Sequence, residues 1–288
     1  MKIQTFSILA GTATCNAKCP YCISKMTGIK EFGFKEPEIN WRNFERACKL
    51  AQVNNVSTVL ITGKGESTLY PKQITKFLEK MKKYDFPLIE LQTNGIVLIK
   101  KEYEQHLKQW YNRGLTTIAI SIVHYKQEKN EKIFAPKEAY PQLTELIKKL
   151  HKFGYSIRLS CILMKDYIDS IEEVKNLADF AKKNNVEQLT IRKIGVVSDS
   201  EDKEVANWCR DHVIPEEKIN EIKEYLDNNA KTLMTLPHGA VVYELNKQNL
   251  CLTDCAMIHP KNDEIRTLIF FPDGHLRYNW EYGGAILL

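Results

Sequence analysis

Six short runs of β-branched and apolar residues recur along the first two-thirds of the chain. Each is followed by a stretch whose apolar residues fall at three- and four-residue steps, and this alternation leaves few folds open. The runs cover residues 5–9, 58–62, 88–92, 116–122, 156–164 and 188–194. Between them Trp41, Phe44, Cys48 and Ala51 share one helical face, as do Ile74, Phe77, Leu78 and Met81. Tyr103, Leu107 and Trp110 mark a third helix, and Leu143, Leu146, Ile147 and Leu150 a fourth; Gly114 and Gly154 supply their ends. Ser170 with Glu173 has the form of a capping box opening a fifth helix through Ile171, Val174, Leu177 and Ala178. Repeated strand-helix units call for a parallel sheet with right-handed crossovers. Six units are two short of the number that closes a full barrel, so the predicted fold is α/β, a partial (β/α)6 TIM barrel.

After Ile194 the rhythm breaks. Residues 198–211 are charged and read as an outward loop, and 216–228 as a helix through Ile219, Ile222 and Leu226. Residues 268–271, then Pro272-Asp273-Gly274, then 276–280 carry the turn chemistry of a β-hairpin. The expected division is a barrel over 1–200 and a C-terminal α+β extension over 201–288 that covers the barrel's cavity. The 43% of hydrophobic residues suffices for one core.

The net charge of +5 is spread along the chain, which suits an anionic substrate and argues against a nucleic-acid-binding tail. No stretch has the apolar length of a signal peptide or a membrane span, so a cytoplasmic protein with no membrane partner is expected. In a reducing compartment the 8 cysteines are thiols rather than a disulfide framework.

Three of those thiols crowd into the loop after the first strand, Cys15-Asn16-Ala17-Lys18-Cys19-Pro20-Tyr21-Cys22, a Cys-x3-Cys-x2-Cys spacing. Three thiolates from one tight loop can hold three corners of a cubane cluster and leave the fourth iron open. A zinc site completed by a distant histidine and a cluster used only for electron storage are the competing readings. After the second strand comes Ile61-Thr62-Gly63-Lys64-Gly65-Glu66-Ser67, on the same end of the sheet as the cysteine loop. Its glycines permit close backbone approach to a ligand, and Glu66 offers a carboxylate to an ammonium group.

Together, the cysteine loop, this turn and the six βα units resemble the radical S-adenosylmethionine (SAM) superfamily over residues 1 to about 197. The resemblance implies a [4Fe–4S] cluster on Cys15, Cys19 and Cys22, with SAM chelating the open iron. Reductive cleavage of SAM then yields a 5′-deoxyadenosyl radical that abstracts a substrate hydrogen. It further implies that Tyr21 lies near adenine and that Gly63, Gly65 and Glu66 hold the methionine amino group. Lys64 stands where that family usually has glycine, and Ser67 where it usually has proline; Lys64 is expected to point to solvent.

Thr93-Asn94-Gly95, after the third strand, resembles a family element near SAM and reads equally as a plain Asn-Gly turn. Ser121 is placed to meet the ribose, and Ile194-Gly195 to offer backbone to adenine. Arg192 is a candidate for the SAM carboxylate or a substrate anion, whereas Arg158 reads as one half of a structural ion pair. His124, His238, His259 and His275 read as surface or hydrogen-bonded residues. Cys48 and Cys161 are core thiols by pattern. Cys251 and Cys255, followed by the hairpin, resemble an auxiliary-cluster extension that lacks its usual later cysteine, with Cys209 the other thiol available. The expected function is a radical SAM enzyme served by an electron donor such as flavodoxin or ferredoxin. Its substrate is a small polar or nucleotide-like molecule; a peptide substrate, activation of a glycyl-radical enzyme, and a non-catalytic iron–sulfur or zinc protein are the alternatives.

Overall fold

Strands at the middle of the sheet turn one apolar side to a buried layer and one more polar side away from it. In β4 (Thr117–Ile122), Ile118, Ile120 and Ile122 are fully buried while Thr117 and Ser121 are only partly covered. β5 (Ser156–Leu163) repeats the pattern, with Ile157, Leu159, Cys161 and Leu163 buried. The apolar side packs beneath helices, and each fully buried isoleucine contributes about 2 kcal/mol to that attachment. The opposite side is left polar and half-open.

A computed structural model describes residues 2–28, 33–197, 199–253, 264–280 and 283–288. The first units are β1 (Lys2–Leu9), a short α1 (Ile23–Met26), α2 (Trp41–Val53), β2 (Thr58–Thr62), α3 (Pro71–Met81), β3 (Leu88–Thr93) and α4 (Glu104–Tyr111). After β4 come α5 (Gln127–Phe134) and α6 (Leu143–Lys152), then β5, α7 (Ile171–Lys183) and β6 (Gln188–Lys193). Strands β1 to β6 pair side by side and parallel, as the alternation requires. The helical faces read from sequence are the buried ones: Ile74, Phe77, Leu78 and Met81 of α3, and Leu143, Leu146, Ile147 and Leu150 of α6. Ser170 caps α7 by accepting from Glu173 N at 3.3 Å. The Glu173 side chain reaches toward His124 Nε2, at 3.5 Å, instead of back to the cap.

The extension departs from expectation in two ways. Residues 198–211 do not form a loop throughout: α8 (Lys203–His212) starts there, with the Asp202 side chain accepting from Val205 N at 3.1 Å. Its Val205, Ala206 and Cys209 pack with Met26, Ile194 and Val197, and this small apolar cluster fixes α8 beside the end of the cysteine loop. α9 (Glu216–Asn229) follows, and then three strands that the sequence did not announce, β7 (Lys231–Thr235), β8 (Val241–Leu245) and β9 (Gln248–Thr253). Asn246 and Lys247, both at positive φ (51° and 68°), make the two-residue turn between β8 and β9.

β9 joins β6 in parallel at one edge of the barrel sheet, and β10 (Glu264–Phe270) joins β1 in parallel at the other. With β11 (Leu276–Arg277) the sheet order is β11-β10-β1-β2-β3-β4-β5-β6-β9-β8-β7. Eight parallel strands therefore lie side by side, yet the barrel stays open. The outer edge of β10 is taken by β11, the second arm of the expected hairpin, and that of β9 by β8, both antiparallel. The extension is stitched into both margins of the partial barrel rather than laid on it as a further layer. No described helix is long and apolar enough to cross a membrane.

Candidate active site

The cysteine loop is clamped from three directions. At its start Gly11, at φ +79°, donates to Gln73 Oε1 at 2.5 Å, and the Thr12 and Tyr70 hydroxyls meet at 2.6 Å. A side-chain carbon on Gly11 would fall 2.2 Å from the Tyr70 ring. From the glycine turn, Gly65 N donates to Thr12 O and Glu66 N to Thr14 O, each at 3.0 Å, so the pairing of β1 with β2 continues into their loops. A Cβ on Gly65 would stand 2.0 Å from Thr14 O, and one on Gly63 2.9 Å from Ala10 O. Only glycine allows the approach at position 65. From the third side, Lys18 N donates to Phe134 O at 2.7 Å and Lys137 N to Asn16 O at 3.0 Å, anchoring the loop to the end of α5.

Within this clamp Cys15, Cys19 and Cys22 are partly exposed free thiols, and Cys22 stands at the N-cap of α1. Burial pushes the Cys15 thiol up to about 11 and Cys19 higher still, and the neighbouring thiols of the loop add to both. Among the described residues no three His, Cys, Asp or Glu side chains converge as ligands of one ion would. A cube asks for something different, since it spreads three thiolates over three irons. Cys209, buried in α8 beside Cys22, is pushed up to about 11 chiefly by burial.

Glu66 is the hub of the site. Its Oε1 accepts from Thr68 N at 3.0 Å and from the Thr68 and Thr93 hydroxyls, both at 2.6 Å; its Oε2 accepts from Asn94 N at 2.9 Å. Oε2 thus keeps capacity for another donor. Thr93 Oγ1 also accepts from Gly95 N at 2.9 Å, and Asn94 Nδ2 donates to Asn16 Oδ1 at 2.7 Å. The three motifs singled out in the sequence are therefore one hydrogen-bonded unit. Asn16, missed by sequence reading although it lies inside the cysteine loop, closes the circuit.

The remaining candidates are placed around this unit. Tyr21 meets the Phe134 ring edge-on at 6.5 Å between centroids and lies 6.4 Å from Trp208, a residue hidden in the segment read as loop. Burial raises the Tyr21 hydroxyl well above its ordinary range, with Cys19 adding to that and Arg192 opposing it. Arg192 is therefore electrostatically within reach of the cysteine loop. Ser121 is partly exposed on the polar side of the sheet, in register with Ser160, which pairs on to Thr190 and Cys251. Ile194 buries its side chain in the cluster with α8, leaving only backbone to offer a ligand.

Arg158 is an ion-pair residue: Nε and Nη2 meet Glu90 Oε2 and Oε1 at 2.7 and 2.5 Å, bidentate across the polar face. Lys64 does not reach for solvent. It is 5% exposed, donates to the Thr27 carbonyl and, at 3.2 Å, to the Thr27 hydroxyl, and lies 5.5 Å from the Trp280 ring centroid. His124 is buried and accepts from Lys126 N at 3.1 Å, and His275 meets Asp273 at 2.9 Å. Burial lowers the pKa of His238. Cys251 sits on β9, and burial raises its thiol while Arg158 opposes the shift. Its suggested partner Cys255, like His259, lies outside the described residues.

The family model of the Radical SAM superfamily matches residues 9–181, from the end of β1 to the end of α7. The chain belongs to the radical SAM superfamily. Members of this superfamily use a [4Fe–4S] cluster and SAM, and the donor set here fits them: three thiols on one loop, pressed by backbone hydrogen bonds against a glycine turn whose carboxylate retains an acceptor site. Among curated relatives, GTP 3′,8-cyclase of Aquifex aeolicus is 26% identical over 193 residues, 65% of this chain and 57% of that protein. An uncharacterized protein of Methanocaldococcus jannaschii is 28% identical over 173 residues, 58% of this chain and 52% of its own length. This radical SAM chain thus spans little more than half the length of the curated relatives it matches. Among solved structures, Streptococcus suis SuiB bound to S-adenosylmethionine superimposes with a TM-score of 0.66 at 16% identity, over 98% of this chain and 61% of SuiB. Methylornithine synthase, PylB, gives 0.54 at 12% identity over 78% of this chain and 63% of its own. At such identities these structures are alike in fold.

Proposed function

We propose that this protein is a SAM-cleaving radical enzyme acting on a small polar substrate, with Cys15, Cys19 and Cys22 as the ligands of its cluster. The cluster, when bound, supplies the electron that splits SAM to the 5′-deoxyadenosyl radical. The chain's own residues do the rest. Gly63, Gly65 and the second oxygen of Glu66 receive the methionine ammonium. Asn94 and Thr93 hold Glu66 in place for it. Tyr21 and the backbone at Ile194 flank adenine, Ser121 faces the ribose, and Arg192 takes a carboxylate. A primary carbon radical has to be kept from water and from the wrong hydrogen donors, and that role falls to the C-terminal extension.

The observation that carries this reading is the pair of backbone hydrogen bonds from Gly65 and Glu66 to Thr12 and Thr14, which hold the thiol loop and the carboxylate in one rigid unit. The polar row Ser121, Ser160 and Thr190, with Arg192 two residues further along β6, favours a small polar or nucleotide-like substrate, in keeping with the name of the Aquifex relative. A low-potential donor such as flavodoxin or ferredoxin supplies the electron. A second cluster is not part of the proposal, because only Cys251 of its two thiols lies in described structure.

The test is anaerobic reconstitution with iron and sulfide, followed by dithionite and SAM. Release of 5′-deoxyadenosine by the unaltered protein and its loss in a folded Cys19→Ala variant is the expected result. An unaltered yield from Cys19→Ala refutes the ligand assignment.

A further inference from the structure

A cavity of about 120 Å³, continuous with solvent, opens beside the glycine turn and is lined by Lys64, Phe271, Asp273, Arg277 and Trp280 among others. Two observations single out Arg277. Its guanidinium carbon lies over the Phe271 ring, 4.2 Å from the centroid, a cation–π contact that holds the side chain at the cavity wall. Its Nε is shut off from solvent and has no acceptor among the described residues. What is closed to solvent is closed to a ligand as well, so it is the outer nitrogens of the fork, on a side chain that lines the cavity, that need an acceptor.

The two carboxylates at the cavity do not answer that need. Asp273 accepts from His275 N with one oxygen and meets His275 Nδ1 with the other, each at 2.9 Å, and Glu201 stands exposed without an ion pair to Arg277. Lys64, two residues before Glu66, brings a second cation to the same cavity, held from behind by Thr27 and flanked by the Trp280 ring. A planar fork of donors beside a compact ammonium matches an oxyanion, and two aromatic rings alongside match an apolar or planar body attached to it.

We propose that Arg277 and Lys64 form an anion subsite in which a small substrate's carboxylate or phosphate is held, with Phe271 and Trp280 covering the skeleton attached to it. The assignment deepens the radical SAM reading and rests on it, since the cavity serves a substrate only by opening next to the turn that carries Glu66. It also gives Lys64 a reason to replace the more usual glycine: the turn that serves SAM reaches a side chain into the neighbouring pocket.

The test is calorimetric titration of the anaerobically reconstituted protein with benzoate and, separately, inorganic phosphate; the tighter of the two tells which oxyanion the subsite prefers. Saturable binding of at least one is expected, weakened about tenfold or more in Arg277→Gln, as loss of a charge-assisted hydrogen bond implies, and partly restored in Arg277→Lys. Lys64→Gln provides an independent variant should Arg277→Gln fold poorly, with the same direction expected. Lys247→Gln, an exposed charge loss on the β8–β9 turn, should bind as the unaltered protein does. Absence of saturable binding, or equal affinity in folded Arg277→Gln or Lys64→Gln, overturns the proposal. Release of 5′-deoxyadenosine by the unaltered protein reports separately on the radical reading, so the two failures are distinct.

Discussion

Thr93 donates its hydroxyl to Glu66 at 2.6 Å, joining the turn after β2 to the turn after β3. Both Glu66 oxygens accept from protein donors, so the carboxylate is positioned before any ligand arrives. Glu66→Gln turns one acceptor into a donor that must face an N–H or O–H whichever way the amide is rotated. The expected loss is about 1–3 kcal/mol of stability together with weakened SAM binding. A urea unfolding curve and a SAM titration measure the two; an unaltered midpoint would show that the network carries no weight.

Gly65→Ala places a carbon 2.0 Å from a backbone oxygen of the cysteine loop, which cannot rotate away as a side chain would. The loop has to shift, so iron uptake on reconstitution should fall sharply while the circular dichroism of the fold persists. Gly284→Ala meets nothing within 4 Å and should load iron normally, with stability changed by no more than about 0.5 kcal/mol. Equal iron content in both variants would contradict the clamp.

The Glu90–Arg158 pair is mostly shielded, with side-chain exposures of 10% and 20%. Glu90→Gln or Arg158→Met alone strands a charge and should cost about 3 kcal/mol. The double variant should cost clearly less than the sum, because neither charge is left behind. Chemical denaturation of the three proteins checks this; strict additivity would mean the two side chains act independently.

Burial lowers the pKa of His124 below its ordinary 6.5, with Glu173 partly opposing the shift. The unfolded chain then binds the proton first as pH falls. The contribution of neutral His124 is complete above 6.5 and is lost as the pH drops below it. Melting temperatures from pH 8 to about 5 should decline in the unaltered protein and decline less in His124→Gln. A parallel decline in both would assign the acid sensitivity to other groups.

The barrel was legible because its strands bury one β-branched face under periodic helices; β2 was predicted as residues 58–62 and forms Thr58–Thr62. The margins were not. Every residue of β7 is exposed, so no alternation is imposed on it, and the β8–β9 turn uses Asn246-Lys247 where a glycine would have signalled a hairpin. In α8 the flanking charges masked Val205, Ala206 and Cys209, whose burial depends on Met26 and Val197. Within the site, spacing named the thiols and Glu66, but Glu66's partners Thr93 and Asn94 lie 27 and 28 residues away. The inward path of Lys64 likewise depends on Thr27 and Trp280, contacts that only the folded chain brings together.

The central claim is that three thiolates of the cysteine loop leave one iron open to SAM. Electron–nuclear double resonance on the reduced, reconstituted protein, with SAM isotopically labelled at its amino nitrogen, tests it directly. The account predicts a hyperfine coupling from that nitrogen to the cluster, present in the unaltered protein and in Cys209→Ala. Absence of the coupling in SAM-saturated protein, or its appearance only after Cys209 is removed, would contradict it.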